Sequence, residues 1–151
     1  MRYGFFDDAN REYVITRPDT PLPWFNYLGT EDFFGLISNT AGGYCFYQDA
    51  KLRRLTRYRY NNIPMDSNGR YLYIRDGGAL WNPMWKPMRV PLDRYECRHG
   101  LGYTKITARR NDLEISALFF IPLQARNELW HVRAVNHAAE KKTIRMWSFV
   151  E

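Results

Sequence analysis

An all-β fold, an antiparallel β-sandwich, is the architecture that this 151-residue sequence predicts, on three observations. Apolar and polar residues alternate with period two from residue 103 onward, and short turn signals separate the alternating runs. Helical spacing of apolar residues is missing, with 138–142 able to form one turn at most. Two sheets packed face to face bury the apolar side of such strands.

The strand candidates follow in chain order. In the first hundred residues they are short: 33–37, 44–48, 51–60 and 71–75. Gly42-Gly43 and Asn68-Gly69 mark turns ahead of two of them, since glycine enters positive φ without a steric penalty. Pro18, Pro21 and Pro23 before Trp24, and Pro83, Pro87 and Pro91 interleaved with Trp81 and Trp85, predict long ordered loops. After 103–109, Asn111-Asp112 turns the chain into a strand over 113–121. That strand puts Leu113, Ile115, Ala117, Phe119 and Ile121 on one face and is closed by Pro122, which has no ladder donor. A turn over 124–127 leads to Trp130, Val132 and Ala134 alternating with His131, Arg133 and Val135, and a last strand covers 143–150. Together these read as an antiparallel meander. Because the chain stops inside a strand-like pattern, the sandwich is expected to be truncated at its C-terminal end.

Composition narrows the class further. Lys and Arg total 22 against 16 Asp and Glu, a net charge of +6, and 45% of residues are hydrophobic, which excludes a disordered chain. No run approaches the roughly 18–20 apolar residues of a membrane-spanning helix, so no membrane partner is expected. The opening Met1-Arg2-Tyr3-Gly4 does not begin a signal peptide, and two cysteines, Cys45 and Cys97, read as reduced thiols. The expectation is a single cytoplasmic domain without linker, repeat or low-complexity tract.

Two segments hold the chemistry. In 51–60, cations interleave with rings, as phosphate contacts and base stacking require; on a strand, Arg53, Leu55, Arg57 and Arg59 share one face. The plainer reading pairs these arginines with carboxylates of a neighbouring domain or stacks them on tyrosines. It is the one adopted, with no nucleic-acid partner expected. In 95–103, Tyr95, Cys97 and His99 would share one strand face and Glu96 and Arg98 the other. A Cys-x-His pair is too few ligands for zinc, and alternate strand positions align Cys97 and His99 along one face without reliably bringing them into hydrogen-bond contact. A buried thiol beside a hydrogen-bonded histidine is therefore expected, with no metal and no cofactor. Gly100-Leu101-Gly102 lacks the third glycine of a dinucleotide loop, Lys105 standing in its place. The adjacent acids Asp7-Asp8 and Glu31-Asp32 read as turns or caps, and no HExxH, GxSxG or phosphate-loop sequence occurs.

The same segments carry a family resemblance. GFFDDANREYVI at 4–15, WFNYLG at 24–29, LISNTAGGY at 36–44, RRLTRYRYN at 53–61 and YECRHGLGYT at 95–104 resemble, in order, the amino-terminal part of the cellobiose phosphorylases of glycoside hydrolase family 94, formerly glycosyltransferase family 36. The resemblance implies the amino-terminal sandwich, of the galactose-mutarotase-like super-sandwich type, of an enzyme several times longer. Its active site lies in an (α/α)6 barrel absent from this chain, and the enzyme is a homodimer. The reaction implied is phosphorolysis of cellobiose to α-glucose 1-phosphate and glucose with inversion. One carboxylic acid protonates the glycosidic oxygen while inorganic phosphate, a co-substrate, attacks the anomeric carbon from the opposite face, so a second catalytic carboxylate is unnecessary.

No residue here inherits the acid role, and the chain alone is expected to be inactive. Arg98 and His99 are the candidates for lining the site, on side-chain chemistry alone. Arg53, Arg57, Tyr58 and Arg59 are the candidates for interdomain or dimer contact. Chitobiose or laminaribiose phosphorylase, or a related β-glucan synthase domain, is the alternative within the family. From a different class, a stand-alone carbohydrate-binding sandwich would use Trp24, Trp81 or Trp85 as stacking platforms.

Overall fold

In a computed structural model the structure describes residues 2–30, 32–57 and 69–151, and these form twelve strands. The strands are β1 (Gly4–Asp7), β2 (Glu12–Ile15), β3 (Phe25–Thr30), β4 (Phe33–Ser38), β5 (Cys45–Tyr47), β6 (Arg70–Asp76), β7 (Ala79–Trp81), β8 (Arg94–Gly100), β9 (Tyr103–Arg110), β10 (Leu113–Phe120), β11 (Leu129–Asn136) and β12 (Ile144–Val150). They form a six-stranded sheet in the order β1-β2-β8-β9-β10-β11 and two three-stranded sheets, β12-β6-β7 and β3-β4-β5. Every pairing between strands is antiparallel, and no described helix is long and apolar enough to cross a membrane.

One apolar core joins the three sheets. Ile15, Cys97, Ile106, Ile115 and Phe119 come from the six-stranded sheet, Leu28, Phe33, Ile37 and Cys45 from β3-β4-β5, and Leu72, Ile74 and Trp81 from the third. In β10, every second residue from Leu113 is buried, as the sequence pattern demands. Its hairpin with β9 turns through Asn111 and Asp112, both at positive φ (49° and 60°), a conformation that short side chains able to bond their own backbone tolerate. The β8–β9 hairpin turns through Leu101 and Gly102, with Gly102 at φ 82°. A Cβ on the neighbouring Gly100 would lie 2.3 Å from the Tyr103 ring.

Three expectations need correction. The meander runs only from β8 to β11, because β12 crosses to the other layer and pairs with β6. The described part of the first hundred residues holds eight strands, including the β1–β2 hairpin, which loop-like composition hid; four-residue strands are too short for alternation to register. The predicted strand 51–60 does not form over its described part. The Asp49 carboxylate accepts the Lys51 and Leu52 backbone N–H groups, both at 2.7 Å, and curls the chain into a turn. Only an isolated bridge between Phe46 and Arg54 remains.

Candidate functional site

Strand β8 sorts its side chains as the pleat requires, with Tyr95 and Cys97 buried in the core and Glu96 and Arg98 on the other face. His99 follows on the core side, and both its ring nitrogens are engaged. Nε2 lies 2.9 Å from the Trp24 carbonyl oxygen, which can only accept, so Nε2 carries the hydrogen. Nδ1, 2.9 Å from the Thr104 hydroxyl, then accepts. Thr104 in turn takes a hydrogen from the Asn26 amide, which also bonds the carbonyls of Gly100 and Tyr103. This neutral network stitches the β8–β9 hairpin to β3. Burial holds the His99 pKa below the usual imidazole value.

The sign of that shift makes a prediction. An imidazole that resists protonation in the folded chain but accepts it freely when unfolded, near pH 6.5, leaves stability intact above that value. Stability is then lost as pH falls below about 6.5 toward the depressed native value. Urea midpoints at pH 7.5 and 5.5 are expected to drop further for the wild-type protein than for His99→Gln. Equal drops would remove the histidine from the account.

Arg98 lies in a carboxylate cage. Its Nε donates to Glu96 at 2.7 Å, and Nη1 donates to Glu12 at 2.6 Å and to Asp7 at 3.1 Å. These bonds, those of Glu96 and Glu12 foremost, raise the guanidinium pKa. Tyr103 donates its hydroxyl to the other Glu12 oxygen. The Asp7 carboxyl is held below the ordinary range by the Asn10 amide first, and by Arg98 against a desolvation penalty. A carboxyl held below its ordinary range, as that of Asp7 is, is a poor proton donor, the opposite of what a general acid requires.

The sequence places Cys97 near His99, and the structure brings Sγ to 3.9 Å from both ring nitrogens. Complete burial pushes the Cys97 thiol well above its usual pKa, so it stays protonated and is no nucleophile. Among the described residues, no group of three or more His, Cys, Asp or Glu is placed to hold a metal ion.

The arginines of 51–57 fan out instead of sharing a face. Arg53 lies over the Tyr47 ring at 5.6 Å and bonds Gln48, while Arg54 lies over Tyr44 at 5.6 Å. Arg57 sits 3.5 Å from the Glu151 carboxylate. Tyr58 and Arg59 fall outside the described residues. Of the tryptophans offered as sugar platforms, Trp81 is 1% exposed and belongs to the core. Trp24 packs between Tyr3 and Tyr13, and Trp85 is half-buried beneath Arg89.

Sequence reasoning missed two places. The first is a buried ion pair, with Arg70 in bidentate contact with Glu128. A third Arg70 nitrogen donates to the Leu36 carbonyl at 3.1 Å, and Trp130 donates its indole hydrogen to Glu128 at 2.7 Å. This pair forms one wall of a cavity of about 330 Å³ between β11 and β12, along with Cys45, Thr56 and Ser148. Burial, followed by the Glu128 charge, pushes the Cys45 thiol up. The second is a groove of about 350 Å³ on the outward face of β12-β6-β7, floored by Tyr73 and Trp147 and flanked by Arg75 and Leu80. Neither leaves a local signal, because the pairs that define them, Arg70 with Glu128 and Tyr73 with Trp147, are far apart in sequence and meet only through sheet register and layer packing.

Comparison with known proteins places the chain in context. Residues 11–151 match the family described as "Glycosyl hydrolase 94, supersandwich domain". The whole chain is 44% identical over 155 residues to the N,N'-diacetylchitobiose phosphorylase of Vibrio proteolyticus and covers 19% of that protein. The solabiose phosphorylase of Paenibacillus borealis is 33% identical over 99% of the chain and 20% of its own length. From the same organism, the 3-O-beta-D-glucopyranosyl-beta-D-glucuronide phosphorylase is 32% identical over 97% of the chain and 18% of its own length. The chain thus spans about a fifth of the length of the curated relatives it matches.

Proposed function

Because the chain belongs to glycoside hydrolase family 94, as its supersandwich domain, we propose that it is the amino-terminal sandwich of an inverting disaccharide phosphorylase. The carrying observation is the 44% identity to a chitobiose phosphorylase over the whole chain. The proposed parent moves a glycosyl group from a disaccharide to inorganic phosphate. The bond from the anomeric carbon to the glycosidic oxygen breaks, a phosphate oxygen takes its place, and an acid in a separate catalytic barrel protonates the leaving sugar.

N,N'-diacetylchitobiose is the first disaccharide to offer, supported by the names of the relatives at 43–44% identity, and cellobiose, favoured by the sequence motifs, is the second. Within this proposal the 151 residues support the barrel rather than perform chemistry. Arg53 and Arg57 act at contacts between domains or subunits of a homodimer. The engaged partners of Arg98 and His99 favour a role in holding the β8–β9 hairpin in place over direct contact with sugar. A cytoplasmic location accords with two buried free thiols.

Phosphate-dependent release of a sugar 1-phosphate tests this. The complete polypeptide carrying this domain is expected to turn over one of the two disaccharides, and the 151-residue chain neither. Turnover by the short chain would overturn the supporting role, and failure of the complete polypeptide on every β-linked disaccharide would overturn the reaction.

A further inference from the structure

We propose that the outward face of the β12-β6-β7 sheet is a docking surface for an acid-bearing, apolar protein surface, supplied by the remainder of the parent polypeptide. The inference rests on the phosphorylase reading and names where its domains meet. The register of β12 against β6 sets Trp147 opposite Tyr73, Phe149 opposite Tyr71 and Arg145 opposite Arg75. The rings run on without a break, with Tyr71 6.2 Å from Tyr73 and 5.6 Å from Phe149.

Tyr71 is buried at 7% exposure, yet Trp147 beside Tyr73 is 45% and Phe149 53% exposed, and Leu80, next to Arg75 on β7, is 45% exposed. Exposed apolar patches of this kind mark interaction sites, and Trp, Tyr, Phe and Arg are the residues that interface centres favour.

Charge identifies the occupant. Arg75 and Arg145 are cross-strand neighbours on one face, a like-charge pairing that destabilises a sheet. Neither has a carboxylate partner among the described residues, and Arg75 donates only to the Gly77 carbonyl at 3.3 Å. By contrast, Arg70 is paired with Glu128 and Arg98 with three acids. Two unpaired guanidiniums beside a wide aromatic strip call for carboxylates set in an apolar surface. Relatives about five times the length of this chain have ample surface to supply it.

Hydroxyl-radical footprinting read by mass spectrometry tests the proposal, comparing the 151-residue chain with the complete parent polypeptide. Oxidation of Trp147 and Phe149 is expected to fall by about an order of magnitude in the parent, as it does where an interface centre excludes water. In the parent, R75E with R145E is expected to restore most of that reactivity, whereas R75K with R145K keeps the protection. A thermal melt of each pair in the short chain checks that folding is unchanged.

Equal reactivity in both proteins would overturn the proposal. Protection in the short chain that grows with its own concentration would assign the face to a second copy. Protection of the short chain by α-glucose 1-phosphate would assign it to an anionic sugar. Protection that survives charge reversal would remove the carboxylates. A parent that performs phosphorolysis with Trp147 still reactive refutes this inference alone. A parent with Trp147 shielded but no phosphorolysis refutes only the assigned reaction.

Discussion

Replacing Glu128 by alanine is expected to lower stability by about 3–5 kcal/mol, because it leaves the Arg70 guanidinium buried without its counter-charge. Arg70 is 2% exposed and Glu128 8%, so neither can swing into bulk water. After the substitution Arg70 retains only the Leu36 carbonyl as an acceptor, and the Trp130 indole hydrogen is orphaned as well. Water entering the adjacent 330 Å³ cavity offsets part of the loss, which places the expectation toward the lower end.

Urea unfolding followed by tryptophan fluorescence checks it, with an unchanged slope identifying a loss of stability as such. The double variant Arg70→Met with Glu128→Leu is expected to recover most of the deficit, since a buried pair is roughly neutral against well-packed apolar residues of similar size. If the double variant is as unstable as the single, the two charges are not coupled and the ion-pair explanation fails.

Trp81→Ala is expected to cost about 3–5 kcal/mol, through lost apolar burial plus an unfilled cavity among Ile74, Met84 and the rest of the core. The comparison that gives the number meaning is Trp85→Ala. Trp85 lies four residues on, half-buried under Arg89, and its loss is expected to cost about 1 kcal/mol or less. The two midpoints read side by side separate them. A Trp81→Ala protein as stable as Trp85→Ala would contradict the placement of β7 against the core. Its complete burial also means that Trp81 cannot present a face to a sugar.

The sequence was most legible where its pattern was longest. In β9 and β10 eight-residue alternation and a two-residue Asn-Asp turn leave one register in which Leu113, Ile115, Ala117 and Phe119 face inward, and the structure shows that register. The hairpin around Gly100 and Gly102 was not read from the sequence, which weighed those glycines only as a dinucleotide loop, although glycine is what its backbone and packing demand. His99 was legible in kind, as a hydrogen-bonded ring beside a buried thiol, though its partners Trp24 and Thr104 were not. The segment over 51–57 misled because interleaved arginines and rings mimic strand alternation, while the deciding bond came from the short Asp49 side chain just upstream.

Local physics is what the chain by itself determined: the strand period, the turns that glycine, asparagine and aspartate permit, an all-β fold and, through its motifs, the family. Tertiary structure alone decided that β12 leaves the meander to pair with β6. That crossing sets Trp147 opposite Tyr73 and Arg145 opposite Arg75, and the packing of the layers brings Arg70 onto Glu128. The physical reason is range. A residue's backbone preference is set by its own atoms and nearest neighbours, whereas an ion pair between positions 70 and 128 exists only once sheet register and layer packing have carried the two groups together.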